Sequence, residues 1–155
     1  MGGGTADERT LGHARTLGRL IAERGWVLLN GGRACGVMDA SAAGAHEAGG
    51  LTVGVVPDED PGCASEHLDV VIASGIGHAR NLTNVLSSRV VVACRGEAGT
   101  LSEIALALNA GRPVVALDFP LGTSFERWER EGLLVHADSP ETAVAAVERY
   151  LESGA

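Results

Sequence analysis

Apolar positions follow two rhythms along this chain, and the alternation between them predicts the architecture. Between Thr5 and Arg24, Leu11, Ala14, Leu17, Leu20 and Ile21 recur at helical spacing. Thr5-Ala6-Asp7-Glu8 reads as a capping box at the start of that run, and Gly25 ends it. A short continuous apolar run, Trp26 to Leu29, predicts a buried strand. Gly31-Gly32 breaks it, Val37 to Ala48 returns to helix, and Leu51 to Val56 is the next strand. After an irregular acidic stretch from Pro57 to Glu66, the spacing predicts a strand over Asp69 to Ala73 and a loop at Ser74 to Gly77. A helix over His78 to Ser88 and a strand over Arg89 to Ala93 follow.

The last third continues the pattern with a helix over Thr100 to Asn109, a strand over Pro113 to Leu117, a short helix at Phe125 to Glu131 and a strand at Leu133 to His136. Ser139-Pro140-Glu141 starts a terminal helix, with serine at the N-cap and proline at the first helical position. The strands are continuously apolar, as strands covered on both faces by helices must be. The sequence therefore predicts an α/β, doubly wound, Rossmann-like parallel sheet with helices on both faces, formed by residues 1–155 as a single phosphate-binding domain. In such a fold a glycine-rich turn follows a buried strand, yet Met1-Gly2-Gly3-Gly4-Thr5 opens on the turn. The first strand is expected to be missing, unless the three glycines are only a frayed end.

Composition narrows the chemistry. The chain has 155 residues, enough to bury roughly 70% of its unfolded surface without disulfides or a structural metal. Its twelve basic residues are all Arg. Without Lys there is no Schiff base to pyridoxal phosphate and no lysine-bearing Walker loop, so a pyridoxal-dependent decarboxylase is excluded. A net charge of -8 with no basic run argues against nucleic acid. Three cysteines without C-x-x-C spacing fit a reducing, cytoplasmic setting, and no apolar run is long enough to span a bilayer. His67 and His78, with Glu66 and Asp69, are too scattered for a metal site. Asp58-Glu59-Asp60 reads as a solvated loop, so no metal is expected. Cys94 reads as a small buried hydrophobe.

Ligands of open parallel sheets bind beyond the carboxyl ends of the strands, where helix N-termini favour anions. Four segments fall on that rim: Gly2-Gly3-Gly4, Gly31-Gly32-Arg33, Gly75-Ile76-Gly77 through Arg80-Asn81, and Arg95-Gly96-Glu97-Ala98-Gly99-Thr100 with Glu103. Glycines let a phosphate approach the backbone, and an Arg guanidinium grips two phosphate oxygens at once. These residues are the candidate site for a phosphorylated small molecule. A second reading of Thr100 and Glu103 stands beside it: they form a capping box, with a carboxylate that only satisfies the helix end.

Gly96-Glu97-Ala98-Gly99-Thr100-Leu101-Ser102-Glu103 resembles the Gly-Gly-x-Gly-Thr-x-x-Glu signature of the LOG superfamily, Rossmann-like proteins long labelled "lysine decarboxylase". Asn30-Gly31-Gly32 with Gly36-Val37-Met38 is similar to the second glycine loop of that family, and Ala79-Arg80-Asn81 to the segment carrying its active-site Arg. Arg95 departs from the signature, standing where the first Gly is usual. Gly3-Gly4-Thr5-Ala6, Gly44 to Pro57, and Thr100 to Leu108 leading to Gly111-Arg112-Pro113-Val114 look most like the molybdenum-cofactor carrier branch.

That resemblance implies a homo-oligomer, dimer or tetramer; the Ala-rich Thr100–Asn109 helix and the Leu82–Leu86 helix are candidates to pair across subunits, the other reading being that both simply cover the sheet. It implies a binding protein for a nucleotide-like or pterin phosphate, with no cofactor required and the molybdenum cofactor or a nucleotide as the bound ligand. The alternative it implies is a nucleoside 5′-monophosphate phosphoribohydrolase. There Glu103 stabilises positive charge on the ribose or orients water, Arg80 holds the phosphate or steers the carboxylate, and Gly96 to Thr100 receive the 5′-phosphate. A third reading is a regulatory or structural module with a vestigial site.

Overall fold

The computed structural model describes residues 1–153. Among these the chain order is α1 (Glu8–Glu23), β1 (Leu28–Asn30), α2 (Gly36–Glu47), β2 (Thr52–Val56), β3 (Val70–Ala73), α3 (Arg80–Ser87), β4 (Val91–Ala93) and α4 (Ala98–Asn109). After these come β5 (Val114–Leu117), α5 (Glu126–Arg130), β6 (Leu134–Ala137) and α6 (Pro140–Glu152). The strands form two parallel sheets, ordered β1-β2-β3 and β4-β5-β6. This is the α/β arrangement the apolar rhythm predicts, with helices on both faces.

Strand β5 explains why both faces are covered. All four of its residues are buried: Val115 and Leu117 pack with α1 and α6, while Val114 and Ala116 pack with α3 and α4. Period-two alternation sends successive side chains into opposite cores, so the strand must be apolar throughout. On the first face α1 lies directly against α2. A Cβ on Gly18 would strike the Ser41 carbonyl, and one on Gly44 the Arg15 carbonyl, so glycine permits a backbone approach that no other residue allows.

Several boundaries differ from the sequence reading for local reasons. Helix α1 is capped by Asp7, whose carboxylate accepts the Thr10 N–H at 2.7 Å, rather than by Thr5. Trp26 donates its N–H to Ile21 and belongs to the closing turn of α1, so β1 begins at Leu28. Val91 is the first residue of β4 to reach the neighbouring strand, through the Pro113 carbonyl at 2.9 Å. Helix α3 starts at Arg80 after a 3-10 turn at Gly77–Ala79, and α4 starts two residues before Thr100.

Met1 to Gly3 run alongside β4. The Met1 amino group donates to Val92 O at 2.6 Å, Cys94 N–H donates to Met1 O at 2.9 Å, and Gly3 N–H donates to Arg95 O at 3.1 Å. No strand among the described residues lies between β1 and β4, and the two sheets remain unjoined. No helix among the described residues is long and apolar enough to cross a membrane.

Candidate functional site

A cavity of about 370 Å³ opens at the carboxyl ends of β1 and β4. The glycine loops, the start of α3 and the first turn of α4 converge there. Its wall includes Gly3, Gly4, Gly31, Arg80, Asn81, Glu97, Gly99, Thr100 and Glu103 from the predicted set. Gly32, Gly96 and Ala98 shape the same loops without lining the cavity, and Arg95 does not line it either.

The first two glycine loops are held by bonds to neighbouring elements. Gly3 bridges two elements, donating to Arg95 O and accepting from Val37 N–H at 3.0 Å. Gly36, at φ 57°, begins α2 so close to Gly3 and Gly4 that a Cβ there would collide with both. Asn30 ties the second loop: its amide nitrogen donates to Met38 O at 2.9 Å, and its amide oxygen accepts from Gly32 N–H at 2.8 Å.

The helix termini divide into two groups. Helices α1 and α6 carry side-chain caps from Asp7 and Ser139. Helices α2, α3 and α4, whose N-caps are Cys35, Ala79 and Glu97, have no side-chain cap, and all three present residues to the cavity. In α3 the Arg80 N–H is taken by carbonyls of the preceding 3-10 turn, and in α2 the Val37 N–H by Gly3 O, whereas the first-turn N–H groups of α4 have no intrahelical acceptor and its dipole adds partial positive charge at that end. Such a helix start is chemically suited to an anion.

Within this frame lies a buried charge pair. Arg80 and Glu103 are 9% and 7% exposed, with Nη1 to Oε1 at 3.8 Å, longer than a hydrogen bond. Burial pushes the Glu103 carboxyl above the usual range, against the pull of the Met1 ammonium and Arg80. Burial likewise lowers Arg80, which Glu103 partly offsets, and the guanidinium stays charged. Arg80 Nε and Asn84 Oδ1 are buried without a partner. Buried polar atoms are nearly always satisfied, so two such atoms at one cavity leave bonding capacity there without a partner among the described residues.

The capping-box reading of Thr100 and Glu103 does not hold, because α4 has already begun at Ala98 and the Glu103 carboxylate sits beside Arg80. Arg95 turns outward. Its Nε donates to Asp118 O at 2.7 Å, its guanidinium faces the Asp118 carboxylate at 3.8 Å, and Arg9 holds that same carboxylate at 2.9 Å. Cys94 is 2% exposed, and burial raises its thiol pKa, as expected of a small core residue.

Arg33, from the second rim segment, also lines the cavity, and sequence reasoning missed Asn84 and Cys35 there. Asn84 had a readable signal: Arg80, Asn81 and Asn84 repeat at helical spacing on one face of α3, and all three are buried.

A family model for the SLOG cluster4 family matches residues 1–144. The chain belongs to the SLOG cluster4 family. This SLOG cluster4 chain is 43% identical over 144 residues to an uncharacterized protein of Archaeoglobus fulgidus, covering 93% of this chain and 89% of the relative. Among solved structures, the molybdenum cofactor binding protein of the phototrophic bacterium Rippkaea orientalis superposes with a TM-score of 0.89 at 41% identity, covering 95% of this chain and 91% of the other. The molybdenum cofactor carrier protein of Chlamydomonas reinhardtii gives a TM-score of 0.87 at 43% identity, with the same coverage. The resemblance to the LOG superfamily and its molybdenum-cofactor carrier branch therefore holds for this SLOG cluster4 member.

Proposed function

We propose that this protein binds a phosphorylated small molecule of the molybdenum-cofactor type, a pterin phosphate, at the cavity between the glycine loops and α4. The observation that carries this reading is the buried, incompletely bonded Arg80 facing the uncapped N-terminus of α4 across the glycine-lined cavity. A phosphate there accepts from the guanidinium and from backbone N–H groups together, in a pocket where screening is weak. The names of the two structural relatives support the pterin over other phosphates. Native mass spectrometry of freshly purified protein tests it: a bound phosphorylated pterin is expected. A protein that is always empty, and stays empty when mixed with molybdenum cofactor or with nucleotides, overturns it.

One feature favours a second reading, nucleoside 5′-monophosphate phosphoribohydrolase activity. Glu103 is a fixed carboxyl with a raised pKa beside the anion-binding groups, as a group that orients water or shields developing positive charge on a ribose must be. This reading expects base release from AMP, lost in Glu103→Ala and in Arg80→Ala. Ligand retention without base release across a panel of nucleotides leaves binding as the function.

A further inference from the structure

Arg33 is the other guanidinium in the wall of the candidate cavity, and unlike Arg80 it is exposed. Its backbone is fixed. Ser65 N–H donates to Gly32 O at 2.9 Å and Ala34 N–H to Cys63 O at 3.0 Å, an antiparallel bridge that pins residue 33 against Ala64. The side chain reaches across to Asp58, with Nη2 donating to Oδ2 at 3.1 Å, and the Cys63 thiol donates to that same oxygen at 3.2 Å. Asp58 is anchored from the other side. Gly75 N–H donates to Asp58 O at 3.3 Å and Gly77 N–H to Pro57 O at 3.0 Å, in the loop that leads to Arg80. Two anchored backbones are thus joined by an ion pair whose side chains are 44% and 50% exposed, and such a pair in water contributes too little to serve as a structural tie.

Charge balance gives that pair a use. Glu103, at 3.8 Å, offsets part of the Arg80 charge, whereas a phosphate monoester carries roughly 1.5 to 2 negative charges at neutral pH. A second cation is needed to balance it where screening is weak, and Arg33 is placed to supply it. Arg33 lowers the Arg80 pKa and Asp58 raises it, so both charges act within reach of the buried guanidinium.

We propose that Arg33 is an exchangeable contact of the ligand phosphate and Asp58 its competitor: the carboxylate holds the guanidinium at the rim until an arriving phosphate displaces it. This rests on the phosphate reading of the cavity and adds to it a group that sets how readily the ligand leaves. Arg33 trades one anion for another and is left unpaired at neither stage, while Arg80 stays beside Glu103 as the fixed contact.

Isothermal titration with AMP and with inorganic phosphate tests this on the parent, Arg33→Met, Asp58→Asn and the double variant, with melting curves to confirm that each folds. Arg33→Met is expected to weaken AMP binding roughly tenfold or more. Asp58→Asn is expected to tighten it about two- to fivefold, the range of an exposed ion pair. In the double variant that gain is expected to vanish, because the carboxylate acts through Arg33. A parent that binds AMP while Arg33→Met binds it equally well overturns the inference and leaves the phosphate reading standing. An unchanged affinity in Asp58→Asn does the same, as does a gain that persists without Arg33, since the carboxylate then repels the ligand directly. A parent that binds neither AMP nor inorganic phosphate overturns this inference together with the reading it rests on.

Discussion

Gly31→Ala is the most direct probe of the candidate site, because the perturbation is one methyl group aimed at one guanidinium. A Cβ at residue 31 would sit 2.5 Å from Arg80 Nη2, 2.7 Å from Nη1 and 2.7 Å from Met38 Sδ. Ordinary contact begins near 3.4 Å, so Arg80 must retreat by about 1 Å. It has little room to do so, being buried beside Glu103. Overpacking of this kind costs about 1–3 kcal/mol, which lowers Tm by roughly 3–10 °C in a chain of this size. Misplacing a charged donor by about 1 Å weakens phosphate binding about 10- to 100-fold. Two measurements separate the effects: a melting curve, and isothermal titration with AMP alongside the fraction of ligand retained on purification. A Gly31→Ala protein that melts lower yet holds phosphorylated ligands as tightly as the parent would refute the reasoning, since Arg80 would then be structural and not an anion contact.

Three further outcomes are expected. Gly44→Ala is expected to destabilise by about 1–3 kcal/mol through collision with the Arg15 carbonyl. Gly12→Ala, exposed in α1 with nothing near its Cβ, is expected to stabilise by about 0.5–1 kcal/mol; equal shifts in urea melts would count against the helix contact. Burial raises the Glu103 pKa, so the folded state holds that proton more tightly than the unfolded chain, and the stability it brings is full below 4.5 and lost as pH rises through the folded value. The Tm of Glu103→Gln relative to the parent should therefore climb from pH 4.5 toward neutrality, and a flat or falling difference would contradict the assigned sign. Leu82, Leu86 and Leu101 are exposed on α3 and α4, and a homo-oligomer covering them is expected in light scattering. Leu86→Arg should shift it toward monomer, whereas a monomeric parent sinks the idea.

Much of the fold was legible because its cause is periodic. Leu11, Ala14, Leu17 and Leu20 could only be the inner face of a helix, and the unbroken apolar runs at β2 and β5 could only be strands covered twice. What could not be read was decided by competition between neighbours. Thr5 and Asp7 both offer a cap, and only the backbone of Thr10 chooses between them. Thr100 and Glu103 have the spacing of a capping box, and the choice against it depends on where the Glu97 turn places the first helical residue. Arg95 was grouped with the site by position in a motif, but its side chain is drawn off by Asp118, more than twenty residues downstream, which no local pattern encodes. Asn84 was readable in principle and was missed because a polar residue on a helix is ordinarily solvated.

The same competition explains why the site lies where it does. A helix start can be satisfied by its own side chain or left for something else, and this chain does both. Asp7 and Ser139 each take one first-turn N–H, of Thr10 and of Thr142, at the starts of α1 and α6. The start of α3 is satisfied by the 3-10 turn before it and that of α2 in part by Gly3 O, while α4 begins after Glu97 with no capping bond and is the helix start left open on the rim. Arg80 completes the pattern from within α3, since a guanidinium buried with an unpartnered Nε costs stability unless something binds it. That cost is the strongest reason to read the cavity as a working site rather than a vestige.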